Sequence, residues 1–308
     1  MVPIYVFGSS NTDMVIKARK LPGPGETIMG GSFLMNAGGK GANQAVAASR
    51  LGGKVTLVCK VGNDLFGKEA MEQFRKENIE TGYVQVDEEH SSGVALINVD
   101  EQGENTIVVA PGSNGYLQRE DVDLLFANVS PPGIVLVQLE IPIPTVEHVI
   151  KRSAEKGLKV ILNPAPAPAH ALPGSIYRNL YVITPNESEA ELLTGIKITD
   201  LDSVNSAGKR LLMMGVKNVI ITLGSKGAFL RSDKENQLIP TPHVTPTDTT
   251  AAGDCFNGSL AVAISESLPL DQAIDFAVKA ASISTTRLGA QASLPTRHEV
   301  DSWNLPVV

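Results

Sequence analysis

Cysteine is nearly absent from the chain. Cys59 and Cys255 are the only two and lie far apart, which makes neither a disulfide framework nor a zinc pattern and points to a reducing cytosol. No apolar run approaches the roughly 20 residues a membrane helix needs. The first residues lead directly into the strand-like stretch Ile4 to Phe7, without the basic start and long apolar core of a signal peptide, so a cytoplasmic location is expected. Positive charge is scarce: 26 Lys and Arg against 33 Asp and Glu give a net charge of −7. The basic residues are scattered, which argues against a nucleic-acid partner. An anionic ligand would have to be held by local devices such as helix termini, single lysines or metal ions. The histidines (His90, His148, His170, His243, His298) show no ligand spacing and are assigned no chemistry.

Two common nucleotide-binding signatures are also missing. Gly38-Gly39-Lys40-Gly41-Ala42-Asn43 has no glycine at position 34, and Gly41 rather than Ser or Thr follows the lysine, which excludes a Walker A loop. The first strand-like run is followed by Gly8-Ser9-Ser10-Asn11 instead of the GxGxxG turn of a nicotinamide enzyme. What remains at 38 to 43 is backbone that allows close approach, one lysine and one asparagine. That set suits hydroxyls and a phosphate; it could equally be a glycine-rich helix entry with a solvated lysine.

Of the 308 residues, 43% are hydrophobic, enough for a large core in one large domain with an appendage, or in two domains. Short β-rich runs recur at Ile4 to Phe7, Val55 to Cys59, Ile134 to Val137, Val160 to Leu162, Tyr181 to Ile183 and Val219 to Thr222. Helical patterns lie between several of them, at Ala42 to Leu51, Phe66 to Glu77, Thr145 to Lys156 and Leu201 to Met214. This alternation predicts an α/β fold, a three-layer αβα doubly wound and mostly parallel sheet. Polar residues and glycines gather where the runs end, with Glu140 directly after a buried-looking strand, and that edge is where such sheets bind ligands. Met14 to Ala18 with Thr27 to Asn36, and Gly93 to Val99 with Asn105 to Ala110, read instead as paired strands without helices between. They predict a small β-sheet lid inserted in two pieces, at about 14–36 and 91–111. Its second face, with Val94, Leu96, Ile107 and Val109, is expected to pair with another subunit. No repeat or linker interrupts the chain; Pro164 to Pro168 reads as a short stiff connection.

Residues 248 to 258, Asp-Thr-Thr-Ala-Ala-Gly-Asp-Cys-Phe-Asn-Gly, organise the rest. Small residues at 251 to 253 lead into Asp254 and an apolar pattern at Phe256, Leu260, Ala263 and Ile264 that fits one face of a helix. A bare helix start offers free N–H groups and partial positive charge to an anion, and its field favours the ionised form of Asp254. A base beside an anion hole suits phosphoryl transfer to a hydroxyl. Taken alone, Asp254 could instead complement the helix dipole with Thr249 or Thr250 as the cap.

Together, Gly38 to Asn43 and Asp248 to Phe256 resemble the two signatures of the PfkB carbohydrate kinase family, and the resemblance extends over essentially the whole chain. It implies a single kinase domain over 1–308 that transfers phosphate from ATP to the 5-hydroxyl of D-ribose. It makes Asp254 the base and the backbone of Ala251, Ala252 and Gly253 the anion hole. Asn11, Asp13, Gly39, Lys40, Asn43 and Glu140, with Asp254, would hold the sugar. Asn186, Thr222, Gly224, Ser225 and Gly227, with Gly253, would line the nucleotide site, and Asn186 and Glu189 would help order Mg²⁺ and phosphate. A monovalent cation, K⁺, is implied at Asp248, Thr250, Ser284, Arg287, Gly289 and Ser293, and a homodimer through the lid. The inventory of Asn11, Asp13, Asn43 and Glu140 independently suits a polyhydroxyl ligand. The same fold acting on deoxyribose, fructose or a nucleoside is the nearest alternative, and a non-catalytic sugar-binding protein the more distant one.

Overall fold

The structure, a computed structural model, describes residues 1–168 and 170–303; residues 169 and 304–308 of the expected 1–308 domain lie outside the described residues. In chain order the strands are β1 (Ile4–Phe7), β2 (Asn11–Lys17), β3 (Phe33–Gly38), β4 (Val55–Val58), β5 (Lys60–Gly62), β6 (Gln85–Asp87), β7 (Gly93–Val99), β8 (Asn105–Ala110), β9 (Ile134–Val137), β10 (Lys159–Leu162), β11 (Val182–Ile183), β12 (Asn218–Thr222), β13 (Ala228–Ser232) and β14 (Asn236–Ile239). The α-helices are α1 (Lys40–Arg50), α2 (Leu65–Lys76), α3 (Arg119–Phe126), α4 (Ile143–Glu155), α5 (Gly174–Arg178), α6 (Glu187–Thr194), α7 (Leu201–Met213), α8 (Ala252–Ser265), α9 (Leu270–Thr285) and α10 (Arg297–Ser302).

Eight strands form the main sheet in the order β14-β13-β12-β11-β10-β9-β1-β4. From β4 to β12 the pairing is parallel, as short runs buried on both faces require; β13 and β14 add an antiparallel edge. Strand periodicity divides the core in two. Ile134 and Leu136 of β9 join Ile4, Val6 and helices α1, α8 and α9 on one side, while Val135 and Val137 join Phe7 and helices α3, α4 and α7 on the other. The expected three-layer sheet is the observed one, with a mixed edge that the alternation of strands and helices had not included.

Helix α8 departs from its expected one-sided pattern. Every residue from Asp254 to Ser265 is buried, because the helix is enclosed by α1, α9 and the sheet. The closest approach is to α1: a Cβ on Gly258 would stand 2.7 Å from both the Ala47 Cβ and the Gln44 carbonyl oxygen. Only a residue without a side chain lets the two backbones come this near.

The second sheet has the order β3-β2-β7-β8. Its second strand is Phe33–Gly38 rather than Thr27 to Asn36, because pairing with β2 runs from Ile16↔Phe33 to Asn11↔Gly38. Residues of the Gly30-Gly31 stretch have no strand to pair with beyond the Lys17 contacts. Asn11 and Asp13, expected in a loop, therefore belong to β2. Cross-strand partners share a face, and the register Leu96↔Val108 and Ile97↔Ile107 splits the four residues expected on one face. Val94 and Leu96 lie with Met14, Ile16, Phe33, Met35 and Val108. Ile107 and Val109 lie on the other face, with Asp13 and Ala95.

Replacing Gly258 by Ala should lower stability by about 1–3 kcal/mol, the usual range for an extra methyl group in a close-packed core. Urea unfolding of the variant measures it; an unchanged midpoint would mean that α1 and α8 can separate freely.

Candidate active site

The C-terminal ends of β1, β9, β10, β11 and β12 bring Ser9, Gln138 to Glu140, Asn163, Thr184 and Gly224 to one edge of the main sheet. The N-termini of α1 and α8 meet at the same edge, and β2 and β3 lead out from it into the small sheet.

Helix α8 starts without a side-chain cap. Its N-cap residue is Ala251, at φ 59° in the left-handed region, a conformation that costs a residue with a Cβ of order 1–2 kcal/mol. Neither Thr249 nor Thr250 caps the helix through its side chain. The Ala252 N–H turns back to the Thr249 carbonyl at 3.2 Å. Among the described residues, the N–H groups of Ala251, Gly253 and Asp254 have no acceptor. The anion-binding amides are therefore those of 251, 253 and 254, with 252 available only by breaking a turn. A Cβ on Gly253 would meet nothing within 4 Å, so the space above the helix start is open.

Asp254, 6% exposed, accepts from Gln44 Nε2 on Oδ1 and from Asn43 Nδ2 on Oδ2, both at 2.9 Å. Burial pushes its carboxyl above the usual range; Lys40, Gln44 and Asn43 pull it down, and Glu140 pushes it up. Asp13 shares the site. Burial, with Glu140 and Asp254 nearby, raises it to about 6 against the pull of Lys40. Burial lowers Lys40, but Asp254, Glu140, Glu189 and Asp13 outweigh it and leave the ammonium above its ordinary value. Glu140 accepts from the Ser9 hydroxyl and from the Lys40 backbone N–H at 2.9 Å. Gly39, at φ 87°, lies where a Cβ would stand 2.7 Å from the Asn11 N atom, which joins the start of α1 to β2. Asn11, Asp13, Gly39, Lys40, Asn43, Glu140 and Asp254 thus converge as a polar cluster.

A cavity of about 960 Å³ opens beside it, lined by Asn186, Thr222, Gly224, Ser225, Gly227 and Gly253, all six expected residues. It is lined also by Pro240, His243 and Val244, and by Val278, Ala281 and Ser282 of α9. His243, assigned no chemistry from sequence, belongs to this wall. Asn186 and Glu189 form the capping box of α6: Asn186 Oδ1 accepts from Glu189 N–H and Glu189 Oε2 from Asn186 N–H. Burial raises Glu189 against the Asn186 hydrogen bond and Lys40. No group of three His, Cys, Asp or Glu side chains could hold a metal ion among the described residues.

Asp248 ties two loops together, accepting at 2.9 Å from the backbone N–H groups of Thr250 and Gly289. Burial alone would raise its carboxyl, but these hydrogen bonds, with the Thr250 side chain, hold it below the ordinary value. Arg287 turns its side chain to Glu299 at 2.5 Å, so only its carbonyl could serve an ion. Ser284 lies in the last turn of α9, and Ser293 in the turn after Gly289.

Several participants escaped sequence reasoning. Asn114 holds Asn11 Oδ1 at 2.8 Å and the Ser10 backbone, and nothing in its surroundings announced it. Gln44 reads as a surface residue of an alanine-rich helix, and only the packing buries it. Gln138 and Gln291 join the network through Gln44 and Asn43.

Comparison with known proteins agrees with this geometry. The profile described as pfkB family carbohydrate kinase matches residues 2–297. The chain is 41% identical over 296 residues to a ribokinase of Haemophilus influenzae, covering 96% of each chain. It is 35% identical to a deoxyribokinase of Salmonella typhi, covering 97% of this chain and 98% of that one. The structure of an Arabidopsis thaliana ribokinase complexed with ribose and ATP superposes with a TM-score of 0.89 at 31% identity, covering 97% of this chain and 98% of that chain. A sheet edge with a polar cluster beside a nucleotide-sized cavity defines a small-molecule kinase in class. The chain belongs to the pfkB family of carbohydrate kinases.

The raised Asp13 carboxyl has a stability consequence without sugar. A group whose folded-state pKa lies above its unfolded value contributes stability fully present below the unfolded pKa and lost as pH rises through the folded one. For Asp13 the window runs from 3.8 to about 6. Asp13→Asn should therefore be more stable than the parent by about 1–3 kcal/mol at pH 8, with the advantage fading below pH 6 and gone near pH 4. Urea unfolding at several pH values measures it; a pH-independent difference would contradict the assignment.

Proposed function

We propose that the chain transfers the γ-phosphoryl group of ATP to the 5-hydroxyl of D-ribose, giving D-ribose 5-phosphate and ADP. The observation that carries this reading is Asp254, held between Asn43 and Gln44 at the uncapped start of α8, with the polar cluster on one side and the cavity on the other. Asp254 takes the proton of the sugar hydroxyl as its oxygen bonds to the γ-phosphorus and the bond to the bridging oxygen of ADP breaks. A carboxyl raised by burial is suited to this role, since a general base works best with a pKa near the working pH. The free N–H groups of Ala251, Gly253 and Asp254 hold the charge on the transferring group. Asn11, Asp13, Gly39, Lys40, Asn43 and Glu140 hold the sugar hydroxyls. The nucleotide occupies the cavity lined by Asn186, Thr222, Gly224, Ser225 and Gly227.

Mg²⁺ bound with the phosphates would supply charge neutralisation. No group of three His, Cys, Asp or Glu side chains among the described residues could hold it, and Asn186 and Glu189 are the residues that would help order it. The loops tied by Asp248 fit a weakly hydrated monovalent ion such as K⁺, because carbonyls of Thr250, Ser284, Arg287, Gly289 and Ser293 with one carboxylate supply little charge. A homodimer would cover the apolar face of the small sheet, where Leu96 is 52% and Val108 67% exposed, leaving the Asp13 face over the sugar as a lid. No described helix is long and apolar enough to cross a membrane.

An ADP-release assay with ribose, 2-deoxyribose and fructose tests the reaction. The highest kcat/KM is expected with ribose; a preference for deoxyribose would favour the activity named for the Salmonella relative. Asp254→Asn should reduce kcat by about 10²–10⁴-fold with ribose and ATP still bound, and near-parental turnover would remove Asp254 from the chemistry.

Replacing Na⁺ by K⁺ at constant ionic strength should raise kcat or kcat/KM, and Asp248→Ala should blunt that response. Equal activity in both salts would leave Asp248 with a structural role alone.

A further inference from the structure

Asp254 is gripped by two chains of buried amides. Gln44 Nε2 donates to Asp254 Oδ1 at 2.9 Å and to Asn163 Oδ1 at 3.0 Å, and Gln44 Oε1 accepts from Gln138 Nε2 at 2.6 Å. Both amide hydrogens and the carbonyl of Gln44 are thereby used, and the flipped amide would set its oxygen against two other oxygens. Only one orientation is possible, and Gln138 enforces it from behind. On the other side, Asn43 Nδ2 donates to Asp254 Oδ2 at 2.9 Å while Asn43 Oδ1 accepts from Gln291 Nε2 at 3.2 Å.

The network also returns to the helix that carries Asp254. Asn163 Nδ2 donates to the Thr184 carbonyl at 3.2 Å, the Thr184 hydroxyl to Asn257 Oδ1 at 2.6 Å, and Asn257 Nδ2 to the Gly253 carbonyl at 2.8 Å. Gln44 and Gln138 are fully buried and Gln291 nearly so. The outer oxygens, Gln138 Oε1 and Gln291 Oε1, have no partner among the described residues. Buried polar groups left incomplete are costly, and a buried glutamine on the carboxylate with two more behind its donors is more than packing requires.

We propose that Gln44 with Gln138 behind it, and Gln291 behind Asn43, are positioning residues that hold the Asp254 carboxylate in one orientation, its two oxygens each occupied by an amide donor. The inference rests on Asp254 being the base. The donors aim its remaining lone pairs at the sugar hydroxyl and favour the ionised form against burial. None of the three glutamines needs to touch a substrate to do this.

The test measures kcat and KM for ribose across pH 5 to 9, with thermal unfolding of each protein, for the parent, Gln44→Leu, Gln138→Met, Gln291→Met and Asp254→Asn. Losing one hydrogen bond to a charged group corresponds to a drop in kcat of about ten- to a hundredfold in Gln44→Leu. Its acid limb should move to higher pH by about one unit, with KM for ribose changed less than about threefold. Gln138→Met and Gln291→Met leave both direct donors in place and should shift the limb the same way by less, so they decide the matter if Gln44→Leu fails to fold. Folded variants whose acid limb superposes on that of the parent, or whose defect lies in KM alone, would overturn the proposal. If Asp254→Asn itself keeps parental turnover, the fault lies with the base assignment, and the amide chains have nothing catalytic to position.

Discussion

The contact between α1 and α8 is the one on which the site depends. Gly258 lies against Ala47 and the Gln44 carbonyl at a distance no side chain would allow. That closeness brings the first turn of α1, with Lys40, Asn43 and Gln44, beside the first turn of α8. Two helix N-termini point into the same space, and the hydrogen bonds of Asn43 and Gln44 to Asp254 follow from it. Without this packing the carboxylate would have the positive field of its own helix and no donors to hold it.

Charge is the second constraint. Four carboxylates, Asp13, Glu140, Glu189 and Asp254, surround the single ammonium of Lys40, in a protein whose net charge is already −7. Burial first, and then that crowding, raises the carboxyls of Asp13, Glu189 and Asp254. A polyhydroxyl sugar supplies donors to these acceptors, while a polyphosphate must rely on amides and cations. Under the proposed reaction, Asp13, Glu140 and Asp254 would meet the sugar's donors, and the free amides at the start of α8 the transferring phosphate.

The small sheet shows how strand periodicity serves two surfaces at once. Asn11 and Asp13 alternate along β2 with Met14 and Ile16, so the polar cluster and the outward apolar patch come from adjacent residues. The same alternation separated Leu96 and Val108 from Ile107 and Val109.

The sequence by itself determined the six parallel strands of the main sheet and the helices α1, α2, α4, α7 and α8, because each is a short run with a clear period between turns; the antiparallel edge of β13 and β14 was not legible in it. It also carried the family signatures and, through that resemblance, the residues of the polar cluster, of which Glu140 follows a strand and Asp254 starts a helix, while Asp13 lies inside β2. Only the tertiary structure decided which faces of the small sheet those strands present, because register depends on pairing between segments far apart in the chain. It also decided that Ala251 rather than a threonine begins α8, and that Gln44 holds Asp254 while Gln138 and Gln291 back Gln44 and Asn43. Their positions at 44, 138, 254 and 291 share no local pattern. A glutamine in a helix reads as a surface residue until packing buries it and leaves it a carboxylate to hold.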